Sequence, residues 1–182
     1  MPKPLRPKPW RALRRRFAGV KLFLCDVDGV LTDGTVLMGN GVESKRFNIR
    51  DGLGLRILQK EGIRVGWISR RTSTATAQRA QDLKIDFLHQ GDGSKVVAVE
   101  AILAETRLTW ADVCYVGDDI VDLSVMKRAG VAVAVADSIP EVKRMADHVT
   151  RTAGGHGAVR EVVELILKAQ NKWRRLIQEY SF

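Results

Sequence analysis

The chain has 182 residues, of which 45% are hydrophobic and 28% charged, the make-up of a soluble globular domain rather than of a disordered or membrane-embedded chain. A chain of this length buries about 70% of its unfolded surface, so neither a disulfide nor a structural metal is needed to hold a core, and no apolar run approaches the roughly 18–20 residues of a membrane span. The formal net charge of +9 sits at one end: Lys3, Arg6, Lys8, Arg11, Arg14, Arg15, Arg16 and Lys21 have no acid among them. The remainder is close to neutral and lacks a basic stripe with interleaved aromatics, so nucleic acid is not an expected partner.

Residues 1–19 therefore read as a basic arm. Prolines at positions 2, 4, 7 and 9 exclude a helix over its first ten residues, and the arm is expected to be extended and flexible. The Arg14-Arg15-Arg16 run is followed by no uninterrupted apolar stretch and no small-residue cleavage site, so the cytoplasm is the expected compartment. Cys25 and Cys114 each lie inside an apolar run and read as reduced, buried thiols.

From residue 20 to 182 the pattern is that of one domain. The β-branched runs 21–27, 64–69, 113–117 and 131–135 read as fully buried strands. Between them Leu53, Ile57 and Leu58, then Ala77, Ala80 and Leu83, then Val96, Val99, Ile102 and Leu103 recur at helical spacing as core faces. This alternation predicts an α/β fold, a Rossmann-like doubly wound parallel sheet. One segment departs from it: residues 35–38, Gly39-Asn40-Gly41 and residues 42–47 predict a small β-hairpin inserted after the first strand. A closing helix is expected over 158–176, entered through Gly154-Gly155-His156-Gly157.

Ligands of such sheets bind beyond the carboxyl ends of the strands, and the reactive residues cluster there. The first run leads into Asp26-Val27-Asp28-Gly29, two carboxylates where the strand stops and glycine permits a sharp turn. One can bind metal and attack while the other exchanges protons. A carboxylate attacking a phosphate dianion needs a divalent cation to offset repulsion, and oxygen-only ligands suit magnesium. Asp118, Asp119 and Asp122 follow another buried run, Ser69 ends a third, and Lys95 opens a helix. Taken singly each is an ordinary cap or surface charge; in this order they make a phosphate site.

The order of these motifs resembles the haloacid-dehalogenase superfamily. Asp26–Gly34 as a run, Phe47-Asn48-Ile49-Arg50-Asp51-Gly52, Tyr115-Val116-Gly117-Asp118-Asp119 and the segment 153–161 resemble, more narrowly, its capless 3-deoxy-D-manno-octulosonate 8-phosphate phosphatases. The resemblance implies a magnesium-dependent phosphatase working through an aspartyl-phosphate, with Asp26 as nucleophile and Asp28 as general acid and then base. It implies magnesium held by Asp26, the main-chain carbonyl of Asp28 and Asp118, phosphoryl oxygens held by Ser69 and Lys95, and Asp119 and Asp122 orienting the lysine and nearby waters. Asn48, Arg50, Asp51, Gly52, Arg56, Arg71 and Arg79 would contact the sugar acid or line its pocket. Two departures from the family pattern stand out, Arg70 where glycine usually follows the Ser or Thr, and His156 where arginine often lies between the glycines.

Between Asp33 and Asn48 there is room only for the hairpin, and between Ser69 and Lys95 only for a helix and a short strand, so no cap domain covers the crevice. The resembled family closes it by forming a homotetramer, which is the expectation here. Rival functions are a nonulosonate 9-phosphate phosphatase, a phosphatase of nucleotides or nucleic-acid ends, and a non-catalytic subunit of the same fold.

Overall fold

The structure, a computed structural model, describes residues 10–181. In chain order its elements are α1 (Trp10–Ala18), β1 (Leu22–Cys25), β2 (Leu37–Gly39), β3 (Val42–Ser44), α2 (Ile49–Lys60), β4 (Arg64–Ser69), α3 (Thr74–Asp82), β5 (Phe87–Gln90) and α4 (Lys95–Thr106). There follow β6 (Val113–Gly117), α5 (Leu123–Met126), β7 (Val131–Ala134), α6 (Pro140–Met145), β8 (His148–Val149), α7 (Ala158–Ala169) and α8 (Trp173–Glu179). Six strands form a parallel sheet in the order β5-β4-β1-β6-β7-β8, and β2 and β3 pair separately as an antiparallel hairpin.

Because side chains alternate across a strand, β1 feeds two cores. Phe23 and Cys25 face a cluster built with Leu13 and Phe17 of α1, Leu55 and Leu58 of α2, and Val159, Val162 and Ile166 of α7. Leu22 and Leu24 face Val99 and Ile102 of α4, Met126 of α5 and Val142 of α6. The result is a sheet covered on both faces. Strand order reverses at β1, with β4 on one side and β6 on the other, so the crevice beyond the C-terminal end of β1 is where a doubly wound sheet binds its ligand.

Four sequence expectations need correction. Residues 1–9 of the basic arm lie outside the described residues, but residues 10–18 are helical. Leu13 and Phe17, one helical turn apart, are buried, and Arg16 donates to the Gly130 carbonyl and pairs with Asp147. Prolines and charge drew the sequence reading away from this i, i+4 apolar pair. The closing helix is two helices, α7 and α8, broken where Asn171 takes φ +59°, a left-handed conformation that Asn tolerates. The hairpin strands are three residues each, shorter than expected, around a turn with Asn40 at φ 50° and Gly41 at φ 76°. Leu53 does not belong to the core: it is 48% exposed, on the outer side of α2.

Candidate active site

Asp26 emerges from β1 at the strand-order reversal, its N–H donating to the Val116 carbonyl of β6 at 3.0 Å. Its Oδ1 accepts from the Val27 N–H at 2.6 Å and its Oδ2 lies 2.8 Å from Lys95 Nζ. Lys95, the first residue of α4, is buried and reaches Asp122 Oδ1 at 2.8 Å as well. Asp122 is fully buried: its Oδ1 also accepts from the Tyr115 hydroxyl at 2.6 Å, and its Oδ2 accepts from the backbone N–H groups of Asp118 and Asp119 at 3.0 and 3.3 Å. Asp119 spends its own carboxylate on the Ile120 N–H rather than on the lysine.

Close approach of these groups depends on glycine. A Cβ on Gly29, which has φ +87°, would lie 2.1 Å from Asp118 Oδ2, and one on Gly117 would lie 2.6 Å from Asp122. A Cβ on Gly154 would lie 1.8 Å from the Gly29 carbonyl oxygen, so the glycine-rich segment before α7 backs the loop that carries Asp28.

Carboxylate oxygens of Asp26, Asp118 and Asp122 can be found within 4.8 Å of one another. Burial, with the Asp122 charge adding to it, pushes Asp26 up to about 6 even though Lys95 opposes the shift. Burial, then the charges of Asp122, Asp26 and Asp119, push Asp118 up to about 8. Burial works against the Lys95 ammonium, but Asp122 and Asp26 outweigh it and raise its pKa. One lysine thus faces three clustered carboxylates, and Asp118 Oδ1 is buried without a hydrogen-bond donor. An all-oxygen donor set with uncompensated negative charge fits a hard divalent cation such as magnesium.

Asp28 stands two residues beyond Asp26 with its carboxylate outside that cluster. Its Oδ1 lies 2.7 Å from Lys45 Nζ and its Oδ2 lies 3.8 Å from Arg71 Nη1. Ser69, at the end of β4, is buried, and its Oγ accepts from the Arg71 N–H at 3.1 Å. A cavity of about 240 Å³ is lined by Lys95 with Arg70, Asp92, Ser94 and Ser124. The bulk that replaces glycine at position 70 therefore flanks the lysine. Two larger cavities, about 520 Å³ each, do not touch the carboxylate cluster.

The expected sugar-acid residues divide. Arg71 reaches the Asp28 carboxylate. Arg50 and His156 line one of the larger cavities, together with Arg151 and Arg160. Asn48 caps α2 by accepting from the Arg50 N–H at 2.8 Å. Asp51 is buried and accepts from the Arg160 N–H at 2.7 Å, tying α2 to α7. Gly52 makes room for Arg79, whose Nη2 would lie 2.6 Å from an added Cβ. Arg79 pairs with Asp82 within α3, while Arg56 donates to Gln59 and, across to the end of α3, to the Leu83 carbonyl, so Arg56 ties α2 to α3 and Arg79 packs against Gly52.

Three polar residues at the site escaped the sequence reading: Tyr115, Glu43 and Lys45. Tyr115 looks like one more apolar strand residue until its hydroxyl is seen on Asp122. Glu43 and Lys45 carried a signal, since charges at i and i+2 share one face of a strand.

The family model described as haloacid dehalogenase-like hydrolase matches residues 66–162. The chain is 46% identical over 159 residues to the 3-deoxy-D-manno-octulosonate 8-phosphate phosphatase of Yersinia pestis, covering 87% of this chain and 85% of that protein. A crystal structure of the Y. pestis protein has a TM-score of 0.86 with 87% of this chain and 86% of its own covered, again at 46% identity. The Moraxella catarrhalis phosphatase of the same name, solved with magnesium, phosphate and the sugar acid, has a TM-score of 0.92 at 35% identity, with 94% of this chain and 99% of that chain covered.

Proposed function

Because the chain belongs to the 3-deoxy-D-manno-octulosonate 8-phosphate phosphatase family of haloacid dehalogenase-like hydrolases, we propose that it hydrolyses this eight-carbon sugar-acid phosphate to the free sugar acid and inorganic phosphate. The observation that carries the reading is the convergence of Asp26, Lys95, Asp118 and Asp122 at the strand-order reversal. Asp26, the main-chain carbonyl of Asp28 and Asp118 would hold magnesium, which supplies the positive charge that lets an anionic carboxylate approach a phosphate dianion.

An Asp26 carboxylate oxygen forms a bond to phosphorus as the bond from phosphorus to the sugar oxygen breaks. Asp28 gives its proton to that departing oxygen. Water then attacks the phosphorus of the aspartyl-phosphate, its proton passes to Asp28, and phosphate leaves with the Asp26 carboxylate restored. Ser69 and Lys95 hold the phosphoryl oxygens, and Lys95 is itself aimed by Asp122, which Tyr115 and two backbone N–H groups fix in place. The reading is tested by magnesium-dependent phosphate release from the eight-carbon substrate, a nine-carbon ulosonate 9-phosphate and a nucleoside monophosphate at equal concentration. Preference for the first, with loss of at least about 10⁴-fold in Asp26→Asn, is the expected result. Preference for another ester moves the substrate, and activity that survives Asp26→Asn overturns the mechanism.

The working assembly is a homotetramer in which the hairpin helps to cover a neighbour's crevice. Supporting this, Leu37, Met38 and Val42 of the hairpin are 61%, 73% and 62% exposed, and Ile49 and Leu53 beside it are 79% and 48% exposed, an apolar surface that a lone chain leaves in water. Light scattering at assay concentrations checks this; an active monomer overturns it. The enzyme works in the cytoplasm, a reducing compartment that suits the free, buried Cys25 and Cys114.

A further inference from the structure

We propose that Lys45 is a positioning residue for the reaction: it holds one oxygen of Asp28 so that the other, Oδ2, is the atom that exchanges protons with the substrate. The inference rests on the phosphatase reading above and concerns how its acid is held. The Lys45 side chain has no solvent exposure. Its ammonium lies 2.7 Å from Asp28 Oδ1 and 3.5 Å from Glu43 Oε1, and it donates to Thr76 Oγ1 at 3.2 Å. A buried ammonium with its partners around it is set in a fixed place, so Asp28 cannot rotate freely between its two oxygens. Oδ2 is buried without a hydrogen-bond donor, with Arg71 Nη1 3.8 Å away, so it is the oxygen with no close cation.

The hairpin supplies this lysine through strand alternation. Glu43 and Lys45, two residues apart, turn inward while Val42 and Ser44 turn out to solvent. Glu43 also accepts from Ser73 Oγ at 2.6 Å and pairs with Arg71 at 2.9 Å, so the inward face is anchored to the start of α3 and to the segment after β4. The hairpin therefore does more than stand beside the crevice: its inner face braces the acid of its own site.

In the first step the proton on Asp28 Oδ2 goes to the departing oxygen as the bond from Asp26 to phosphorus forms and the bond to that oxygen breaks. In the second, the proton of the attacking water goes back to Oδ2. The need for the first proton depends on the leaving group. A sugar alkoxide must be protonated, whereas p-nitrophenolate leaves without help.

The test is stopped-flow and steady-state kinetics of the full-length protein with magnesium, on the sugar-acid phosphate and on p-nitrophenyl phosphate, for wild type, Lys45→Met and Lys45→Arg. For Lys45→Met the expected result is a fall of about 10²-fold in kcat on the sugar ester with KM little changed. On the aryl ester, nitrophenolate release in the first turnover keeps its rate, followed by a slow steady state, so that a burst appears. Lys45→Arg restores part of the lost kcat. Equal losses in the first turnover on both esters, or no loss on either, overturn the proposal. Should Lys45→Met fail to fold, Thr76→Val removes one contact of the ammonium without removing a charge, and the same contrast between leaving groups is expected at smaller size. Equal falls on both esters there count against it. A wild type that hydrolyses neither ester would instead defeat the phosphatase reading.

Discussion

Asp51 shows how a single buried carboxyl ties the stability of this protein to pH. It is 1% exposed, one oxygen accepts from the Arg160 N–H, and the other has no donor. Burial pushes its pKa from 3.8 up to about 6, against the N–H groups of Arg160 and Gly157 that favour the anion. The folded protein therefore binds more protons than the unfolded chain between about pH 4 and 6. Its contribution to stability is present below that window and is lost as pH rises through it. Asp51→Asn keeps the accepting oxygen and removes the titration, so wild type should lose up to about 3 kcal/mol relative to the variant between pH 4 and 7. Denaturant midpoints of both proteins across that range check this; a constant difference refutes it. Lys95, proposed to hold the phosphoryl oxygens, is aimed through a chain of hydrogen bonds that runs to Asp122 and from there to Tyr115 in the core.

At the scale of elements, α1 is the least expected part of the fold. Arg11, Arg14 and Arg15 are exposed and Arg16 reaches the Gly130 carbonyl and Asp147, while Leu13 and Phe17 enter the core beside α7. Removing a buried phenyl ring costs about 3–5 kcal/mol, so Phe17→Ala should lower the melting temperature by about 10 °C, whereas Arg15→Ala, on an exposed position, should move it little. Thermal denaturation of the two variants separates a helix packed on the domain from a loosely attached one. The hairpin is the complementary case. Its outer face is exposed and apolar, and its inner face carries Glu43 and Lys45 into the site.

For the whole molecule, the sheet brings β1, β4, β6 and the start of α4 to one edge, and the carboxylates gathered there repel one another in the absence of a cation. Magnesium binding only the folded state should therefore stabilise it. At a hundred times the dissociation constant the gain is about 2.7 kcal/mol, which for a chain of this size raises the melting temperature by about 5–10 °C. EDTA should reverse the shift and Asp118→Asn should abolish it, both read by differential scanning calorimetry without any assay of turnover. An unchanged melting temperature with magnesium would refute the assignment of the cluster.

Periodicity and motif order were enough to place the four central strands β1, β4, β6 and β7, the Asn-Gly hairpin and the acids at strand ends, because a strand buried on both faces must be apolar along its length and then stop at its functional loop. The same residues carried the family resemblance. The edge strands β5 and β8, partly exposed, carry no such run. Tertiary structure alone decided that Asp122 lies beneath Lys95 with Tyr115 behind it, that Lys45 reaches Asp28, and that Arg56 bonds across to the end of α3 while Arg79 pairs within α3 beside Gly52. It also decided that α1 packs as a helix and that the chain breaks at Asn171. Each of these depends on which side chains meet across elements far apart in the chain, and a one-dimensional pattern records which face a residue lies on but not what it finds there.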